Sequence, residues 1–139
     1  MIVLDTNVIS EFMRAEPNAR VLAWVDLQPA MELLICAISV AEILHGVARL
    51  PSGKRKQKLE AHAMAMFEED FAGRILPFDA HAAVEYAILV ASCEAKGRTA
   101  GLADAQIAAI CRTHGALIAT RNTRDFECSG VEVINPWNA

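Results

Sequence analysis

Short apolar runs alternate with longer segments of helical spacing along the whole sequence, and this alternation limits the folds open to the chain. The runs are rich in Ile, Val and Leu and too short for buried helices, so they predict strands at residues 2–4, 33–38, 74–78, 116–120 and 131–135. The segments between them carry apolar residues on one helical face and end at breakers such as Pro17, Gly97 and Gly115. Strands that alternate with helices form a parallel sheet covered on both faces. We therefore expect an α/β fold with a mostly parallel sheet of about five strands, in a single domain of residues 1–139.

The composition excludes several classes of protein. Hydrophobic residues make up 54% of the sequence and charged residues 22%, which is typical of a compact chain and not of a disordered one. No apolar run approaches the roughly 20 residues that span a bilayer, and no basic-then-apolar leader precedes Asp5, so we expect a cytoplasmic protein without a membrane segment. The cysteines form no C-x-x-C pair, which favours reduced, mostly buried thiols over a zinc or disulfide framework at Cys36, Cys93, Cys111 and Cys128.

Four acidic residues stand where a predicted strand gives way to a helix or loop. Asp5 follows the first strand, and Glu42 lies in the first turn of the helix after the second strand. Asp104 lies in the first turn of the helix that begins "GLADAQ", and Asp125, with Asn122, comes just after "ALIAT". Because the carboxyl ends of parallel strands share one edge of the sheet, we expect these side chains to be neighbours.

Each acid alone also has a purely structural explanation. Acids stabilise helix N-termini, where backbone N–H groups are unpaired, and Asp5 could cap a helix. Ser39 and Glu42 match the S-x-x-E capping box, whereas no cap motif requires a carboxylate at Asp104. Together the acids would repel one another unless a cation lay between them. Carboxylate oxygens suit Mg²⁺ or Mn²⁺, so the set predicts a site for one of these ions.

The motifs that are absent narrow the chemistry. The sequence contains no Walker loop, no G-x-G-x-x-G and no Ser or Cys in a nucleophile motif, and its four histidines are scattered. Metal-bound carboxylates without a protein nucleophile suit phosphodiester hydrolysis. Arg121 and Arg124, beside the acidic edge, are candidates for holding substrate phosphates. A second basic group at 54–58 is more simply explained as a solvated helix face.

Five sequence blocks together resemble the PIN-domain ribonucleases, specifically the VapC-like toxins of bacterial toxin–antitoxin pairs, including the FitB-type branch. The blocks are "IVLDTNVISEF" at 2–12, "ISVAEILHGVARLP" at 38–51, "GLADAQIAA" at 101–109, "IATRNTRDFE" at 118–127 and "VEVINPW" at 131–137. Any one block is a weak signal, but five in the family's order over nearly the whole chain are a strong one.

The resemblance implies a three-layer α/β/α domain that cleaves RNA with a water activated by Mg²⁺ or Mn²⁺. It implies that Asp5, Glu42 and Asp104 are the core catalytic and metal-binding acids, with Asp5 and Asp104 the best ligands. The family often has a fourth acid after the last catalytic strand, in a "T-x-D" motif. Here that position holds Asn122, and the nearby acid is Asp125, so which of the two fills the fourth place stays open.

Supporting roles and partners also follow from the resemblance. Thr120 or Asn122 would contact metal-bound water, and Thr6 or Ser39 would orient a carboxylate. Family members form homodimers and are neutralised by a small DNA-binding antitoxin, so the toxin meets DNA only indirectly. The long helix predicted at 54–72 is a candidate surface for either partner.

Three other interpretations compete with this one. A dehalogenase-like phosphatase would have a second acid at position 7, where this chain has Asn7, and a receiver domain would have a mid-sheet Asp and a late Lys that do not occur. A PIN domain that binds its partner without cleaving remains open because of Asn122. So does a nuclease acting on DNA or structured nucleic acid. The RNA target, the number of metal ions and the dimer interface are not determined by the sequence.

Overall fold

The computed structural model describes residues 1–139, and its helices and strands alternate as predicted. The strands are β1 (Ile2–Leu4), β2 (Leu33–Cys36), β3 (Ile75–Leu76), β4 (Leu117–Ala119) and β5 (Val133–Ile134). The helices are α1 (Thr6–Phe12), α2 (Ala19–Asp26), α3 (Ala37–Ala48), α4 (Lys54–Ala65), α5 (Ala80–Ala95) and α6 (Leu102–His114). Short 3₁₀ segments lie at Ala30–Glu32 and Thr123–Phe126, and a π-helical turn, Met66–Asp70, continues α4.

The five strands form one sheet in the order β3-β2-β1-β4-β5, and every neighbouring pair is parallel. β1 is central, with Val3 paired with Leu34 of β2 on one side and with Ile118 of β4 on the other. The chain builds outward from β1 to β2 and β3, then returns to β4 on the opposite side. The sheet therefore has its switch point between β1 and β4, and open parallel sheets bind ligands in the crevice at that point. The α/β prediction is confirmed, and the sheet is wholly parallel.

Two hydrophobic clusters, one on each face of the sheet, make the fold three-layered. Ile2 and Leu4 of β1 belong to the cluster that contains buried residues of α1 to α4. Val3, between them, belongs to the cluster that contains buried residues of α5 and α6. This alternation follows from the two-residue period of a strand, in which successive side chains point to opposite faces. Both faces of β1 are thereby buried, as its run of three apolar residues predicts.

Several helix ends are set by residues close by in the sequence. Asn18 accepts hydrogen bonds from the N–H groups of Arg20 and Val21 and so caps α2. Asp79 caps α5 in the same way. Gly115 ends α6 with φ 62°, a left-handed conformation that suits glycine.

The helix predicted at 54–72 is regular only as far as Ala65. It continues as the π turn, in which the N–H of Phe71 donates to the carbonyl of Met66 at 3.0 Å. Met66 and Phe71 are both buried, so the wider turn lets them pack on the same side of the molecule. None of the helices combines the length and apolar character that crossing a membrane requires.

The prediction of four reduced cysteines is wrong for one pair. Cys93, near the end of α5, and Cys128, just after the Thr123–Phe126 turn, form a disulfide with their Cα atoms 5.5 Å apart. The two residues are 35 positions apart, and the fold brings them together, so their spacing in the sequence gives no hint of the bond. Cys36 and Cys111 are buried free thiols, as expected.

Candidate active site

Asp5 ends β1 and caps α1, so one residue joins the central strand to the first helix. Its N–H donates to the carbonyl of Ala119 at 2.9 Å and extends the ladder between β1 and β4. Its Oδ1 accepts from the N–H of Thr6 at 2.8 Å. The side chain is nevertheless placed at the carboxyl edge of the sheet, in a residue that is 4% exposed. The helix-cap and active-site interpretations of Asp5 are therefore compatible.

Asn7 joins the two loops at the switch point, and no motif in the sequence marks it as a site residue. Its Nδ2 donates to Asp5 Oδ2 at 3.3 Å and to Thr120 Oγ1 at 3.2 Å, and its Oδ1 accepts from the N–H of Arg121 at 3.2 Å. Thr120 Oγ1 donates to Asp5 Oδ2 at 2.7 Å and accepts from the N–H of Asn122 at 3.1 Å. The only local signal was an amide, both donor and acceptor, two residues after the acid.

Thr6 connects the start of α1 with α3. Its Oγ1 lies 2.7 Å from Glu42 Oε1 and 2.9 Å from Ser39 Oγ. A carboxylate can only accept and a hydroxyl has one proton, so Thr6 donates to Glu42 and Ser39 donates to Thr6. The capping-box interpretation of Ser39 and Glu42 is wrong, because α3 begins earlier, at Ala37, and no side chain caps it. The predicted second strand accordingly stops at Cys36.

Asp104 lies in the first turn of α6 and is half-buried. Burial is the largest cause that raises its pKa to about 6, followed by the negative charges of Asp5, Asp125 and Glu42. The pKa of Asp5 is also raised, chiefly by burial, although its hydrogen bonds act in the opposite direction. The four predicted acids therefore share one electrostatic environment, which is what the strand-end rule predicted.

Asp125 and Asn122 contribute to this environment in different ways. Asp125 is exposed in the 3₁₀ turn, and its charge raises the pKa of both Asp5 and Asp104. Asn122 is also exposed, and it contributes its main-chain N–H to Thr120, while its side chain forms no hydrogen bond. Of these two residues in the loop after β4, Asp125 therefore supplies the negative charge that acts on the site.

The two arginines of the same loop form no ion pair with the site acids. The guanidinium of Arg121 lies 5.1 Å from the centre of the Trp137 ring. Arg124 is exposed, and its positive charge is a minor contributor to the lowered pKa of Glu127. The molecule's four ion pairs all involve other residues. The structure therefore leaves the four site acids without a cationic partner.

The donor set fits a hard divalent cation, although no three Asp, Glu, His or Cys side chains converge into a ready-made metal cage. Mg²⁺ keeps several water ligands and often binds through one or two carboxylates, so it does not require such a cage. Asp5 and Asp104 are the acids with raised pKa values, and a bound cation would favour their ionised forms. These two residues could hold such an ion, and Thr6 links Asp5 to Glu42 through its N–H and its hydroxyl.

The sequence and the fold of this chain are similar to those of known proteins. Residues 2–127 match the family model of the PIN domain. The chain is 47% identical over 137 residues to VapC ribonuclease Y4jK of Sinorhizobium fredii, covering 99% of this chain and 98% of that protein. It is 44% identical over 138 residues to Toxin FitB of Neisseria gonorrhoeae, covering 99% of each. A solved structure of FitAB bound to an IR36 DNA fragment superposes with a TM-score of 0.92 at 44% identity, covering 99% of this chain and 96% of that one.

A parallel sheet between two helical layers, with an acidic cluster at its switch point, defines an α/β/α protein with a candidate site at the carboxyl edge of the sheet. The chain belongs to the PIN domain family, in the VapC-like branch that contains FitB. The resemblance seen in the sequence is confirmed, and so is the three-layer fold that it implied.

Proposed function

We propose that this chain is the ribonuclease toxin of a type II toxin–antitoxin pair, an endoribonuclease that depends on Mg²⁺ or Mn²⁺. The observation that carries the proposal is the gathering of Asp5, Glu42, Asp104 and Asp125 at the switch point without a cationic partner. The names of two close relatives, VapC ribonuclease and Toxin FitB, support the same function.

The core acids have distinct parts in this proposal. Asp5 and Asp104 hold the divalent ion, and Glu42 completes the acidic centre. When bound, such an ion lowers the pKa of a water ligand and offsets negative charge at phosphorus. The chain's own residues keep the carboxylates in position: Thr120 donates to Asp5, and Thr6 donates to Glu42.

The loop after β4 supplies the remaining roles. Asp125 is the fourth acid, because its charge reaches Asp5 and Asp104, while Asn122 supports the site through its main chain. Ser39 helps to orient Glu42 indirectly, because it bonds to the Thr6 hydroxyl that donates to Glu42. Arg121 and Arg124 bind substrate phosphates that lie outside the acidic centre, since neither arginine is paired with the acids.

The proposal includes a cognate antitoxin and a homodimer. The neighbouring FitAB structure is bound to a DNA fragment, whereas this chain has a net charge of −4 and so no overall attraction to DNA. We therefore assign DNA binding to a small antitoxin partner. We also propose that residues 1–139 form one domain, because β5 lies beyond the matched residues 2–127 and still pairs with β4 in the same sheet.

Cleavage of labelled single-stranded RNA tests this proposal, with single-stranded DNA of the same sequence in parallel. We expect the parent to cut RNA with Mg²⁺ or Mn²⁺ and not with EDTA. Asp5→Asn and Asp104→Asn should lower the rate by at least about 100-fold, because each removes a ligand charge. Asp26→Asn makes the same charge change at an exposed position at the end of α2 and should cut like the parent.

The other outcomes are distinct. Parent-like cleavage by folded Asp5→Asn and Asp104→Asn proteins would show that the site is elsewhere. Preferential cutting of DNA would favour a deoxyribonuclease. Cleavage of neither substrate with any divalent ion would favour a PIN domain that only binds its partner, the alternative suggested by Asn122 at the "T-x-D" position.

A further inference from the structure

A groove runs across α1, α3 and α4, and Glu42 is the one site acid that lines it. Its volume is about 1550 Å³, and it is open to solvent along its length. Thr6 and Glu42 line it, so it is continuous with the proposed active site. Ile43, Val47 and Leu59 contribute an apolar floor. An extended ligand in the groove would therefore reach the acidic site at Glu42.

One wall of the groove is basic, and the proposed active site does not use its cations. Lys54, Arg55, Lys58 and His62 of α4 line the groove and are exposed. Positions 54, 58 and 62 follow one another on a single face of the helix, about 6 Å apart along its axis. None of these side chains forms an ion pair. Lys56 faces elsewhere and donates to a main-chain carbonyl of α3.

The charges that line the groove sum to a positive value. Arg14, just after α1, adds a fourth Lys or Arg, although it is partly neutralised by Glu11 at 3.4 Å. Only two carboxylates, Glu16 and Glu42, line the groove against these four cations. In a chain with a net charge of −4, this is a local concentration of positive charge, and phosphates respond to charge within roughly 10 Å in salt.

We propose that this groove binds the sugar–phosphate backbone of the RNA strand on one side of the cleavage point, with the basic face of α4 as its track. The inference rests on the proposed function, which places the cleaved phosphate at the acids. A strand held there carries further phosphates into the groove, where unpaired Lys54, Arg55 and Lys58 neutralise them. The apolar floor contacts riboses and base faces without reading sequence.

Binding of a labelled single-stranded RNA of about 20 nucleotides, measured by anisotropy in EDTA, tests the groove without cleavage. The variant is Lys54→Gln/Lys58→Gln, and the control is Arg49→Gln/Lys96→Gln. Both remove two exposed positive charges, but Arg49 and Lys96 do not line the groove. We expect the groove variant to bind about tenfold more weakly, with a plot of log affinity against log salt shallower by about 1.4. The control should stay close to the parent.

Turnover with Mg²⁺ or Mn²⁺ separates this inference from the proposed function. The groove variant should raise KM and leave kcat unchanged, because it loses binding that is equal in the ground and transition states. Parent-like affinity, salt slope and KM would overturn the groove inference and leave the groove to a protein partner, whether or not RNA is cut. A different result is that the parent cuts no RNA but the groove variant binds RNA more weakly than the parent. That result would support RNA binding in the groove and overturn the ribonuclease proposal.

Discussion

Asn7 is the residue that ties the loop after β1 to the loop after β4. It bonds to Asp5 and Thr120 and accepts from the N–H of Arg121. Asn7→Ala removes these bonds from a part-buried site, so we expect a loss of stability of about 1–2 kcal/mol in urea unfolding and a lower rate of RNA cleavage. Ser10→Ala, at an exposed position of α1, should leave stability within about 0.5 kcal/mol of the parent. Equal stability of the two variants would show that Asn7 does not hold the loops together.

Asp104 makes the stability of the metal-free protein depend on pH. Its pKa is about 6 in the folded protein against an ordinary value of 3.8, so between these pH values the folded state binds more protons than the unfolded state. Stability therefore falls as the pH rises from about 4 to about 6. Asp104→Asn removes this loss. In EDTA we expect its thermal midpoint to equal that of the parent near pH 4 and to exceed it above pH 7.

Asp26→Asn is the matched control for this pH experiment, because Asp26 is exposed and distant in sequence from the site acids. Its midpoint should follow that of the parent at every pH. If the thermal midpoint of Asp104→Asn, plotted against pH, ran parallel to that of the parent throughout, the carboxyl group of Asp104 would ionise normally in the folded protein.

The sequence predicted the positions of the acids better than their surroundings. Acids at the ends of parallel strands meet at one edge whatever the side-chain details, which is why Asp5 and Asp104 could be placed together. The part played by Asn7 depends on a hydroxyl 113 residues away, at Thr120, and no local pattern records that contact. The assignment of roles to these acids stays a prediction.

At the scale of single elements, the glycine before α6, Gly101, leaves space for the carboxylate of Asp104. A Cβ atom on Gly101 would lie 3.3 Å from Asp104 Oδ2, so the carboxylate would have to move by a few tenths of an ångström. The φ of Gly101 is −63°, which any residue can adopt, so substitution causes no backbone strain. We expect Gly101→Ala to lower the cleavage rate several-fold and to cost less than about 1 kcal/mol in stability.

Gly101→Ser distinguishes crowding of the carboxylate from loss of the helix cap. Serine is a good N-cap residue, so this variant should be at least as stable as Gly101→Ala, yet its Cβ crowds Asp104 equally. Slow cleavage by both variants is expected. Recovery of the parent rate in Gly101→Ser would instead attribute the effect to the cap.

Element ends were predictable where the deciding contact is local. Asn18 and Asp79 act on N–H groups two or three residues away, so their caps could be recognised from the sequence. The capping box at Ser39 failed because that hydroxyl bonds to Thr6, which lies 33 residues earlier. The π turn after Ala65 arises from packing against the core, which periodicity alone does not record.

At the scale of the whole molecule, the disulfide between Cys93 and Cys128 closes a segment that includes α6, β4 and the Thr123–Phe126 turn. Closing a loop of this size stabilises a fold by about 3–4 kcal/mol in the chain-entropy model. We expect a reductant to lower the urea midpoint of the parent. Cys93→Ser/Cys128→Ser should unfold like the reduced parent and not respond to the reductant. A thiol count of two in the unfolded parent would show that the disulfide has formed, because only Cys36 and Cys111 are then free. If the urea midpoint of such a protein did not change on reduction, this expectation would be contradicted.

The strand order has a consequence for how the protein is made. β1 leaves the ribosome before both of its neighbours in the sheet, β2 and β4, and β4 begins only at residue 117. Until then β1 is an unprotected edge, and Asp5 lacks the hydroxyl of Thr120 that fixes its carboxylate. A chain that ends between Asp104 and Thr120 therefore contains Asp5, Glu42 and Asp104 but lacks the hydroxyl that holds Asp5. For a protein proposed to be a toxin, activity is thereby tied to completion of its translation.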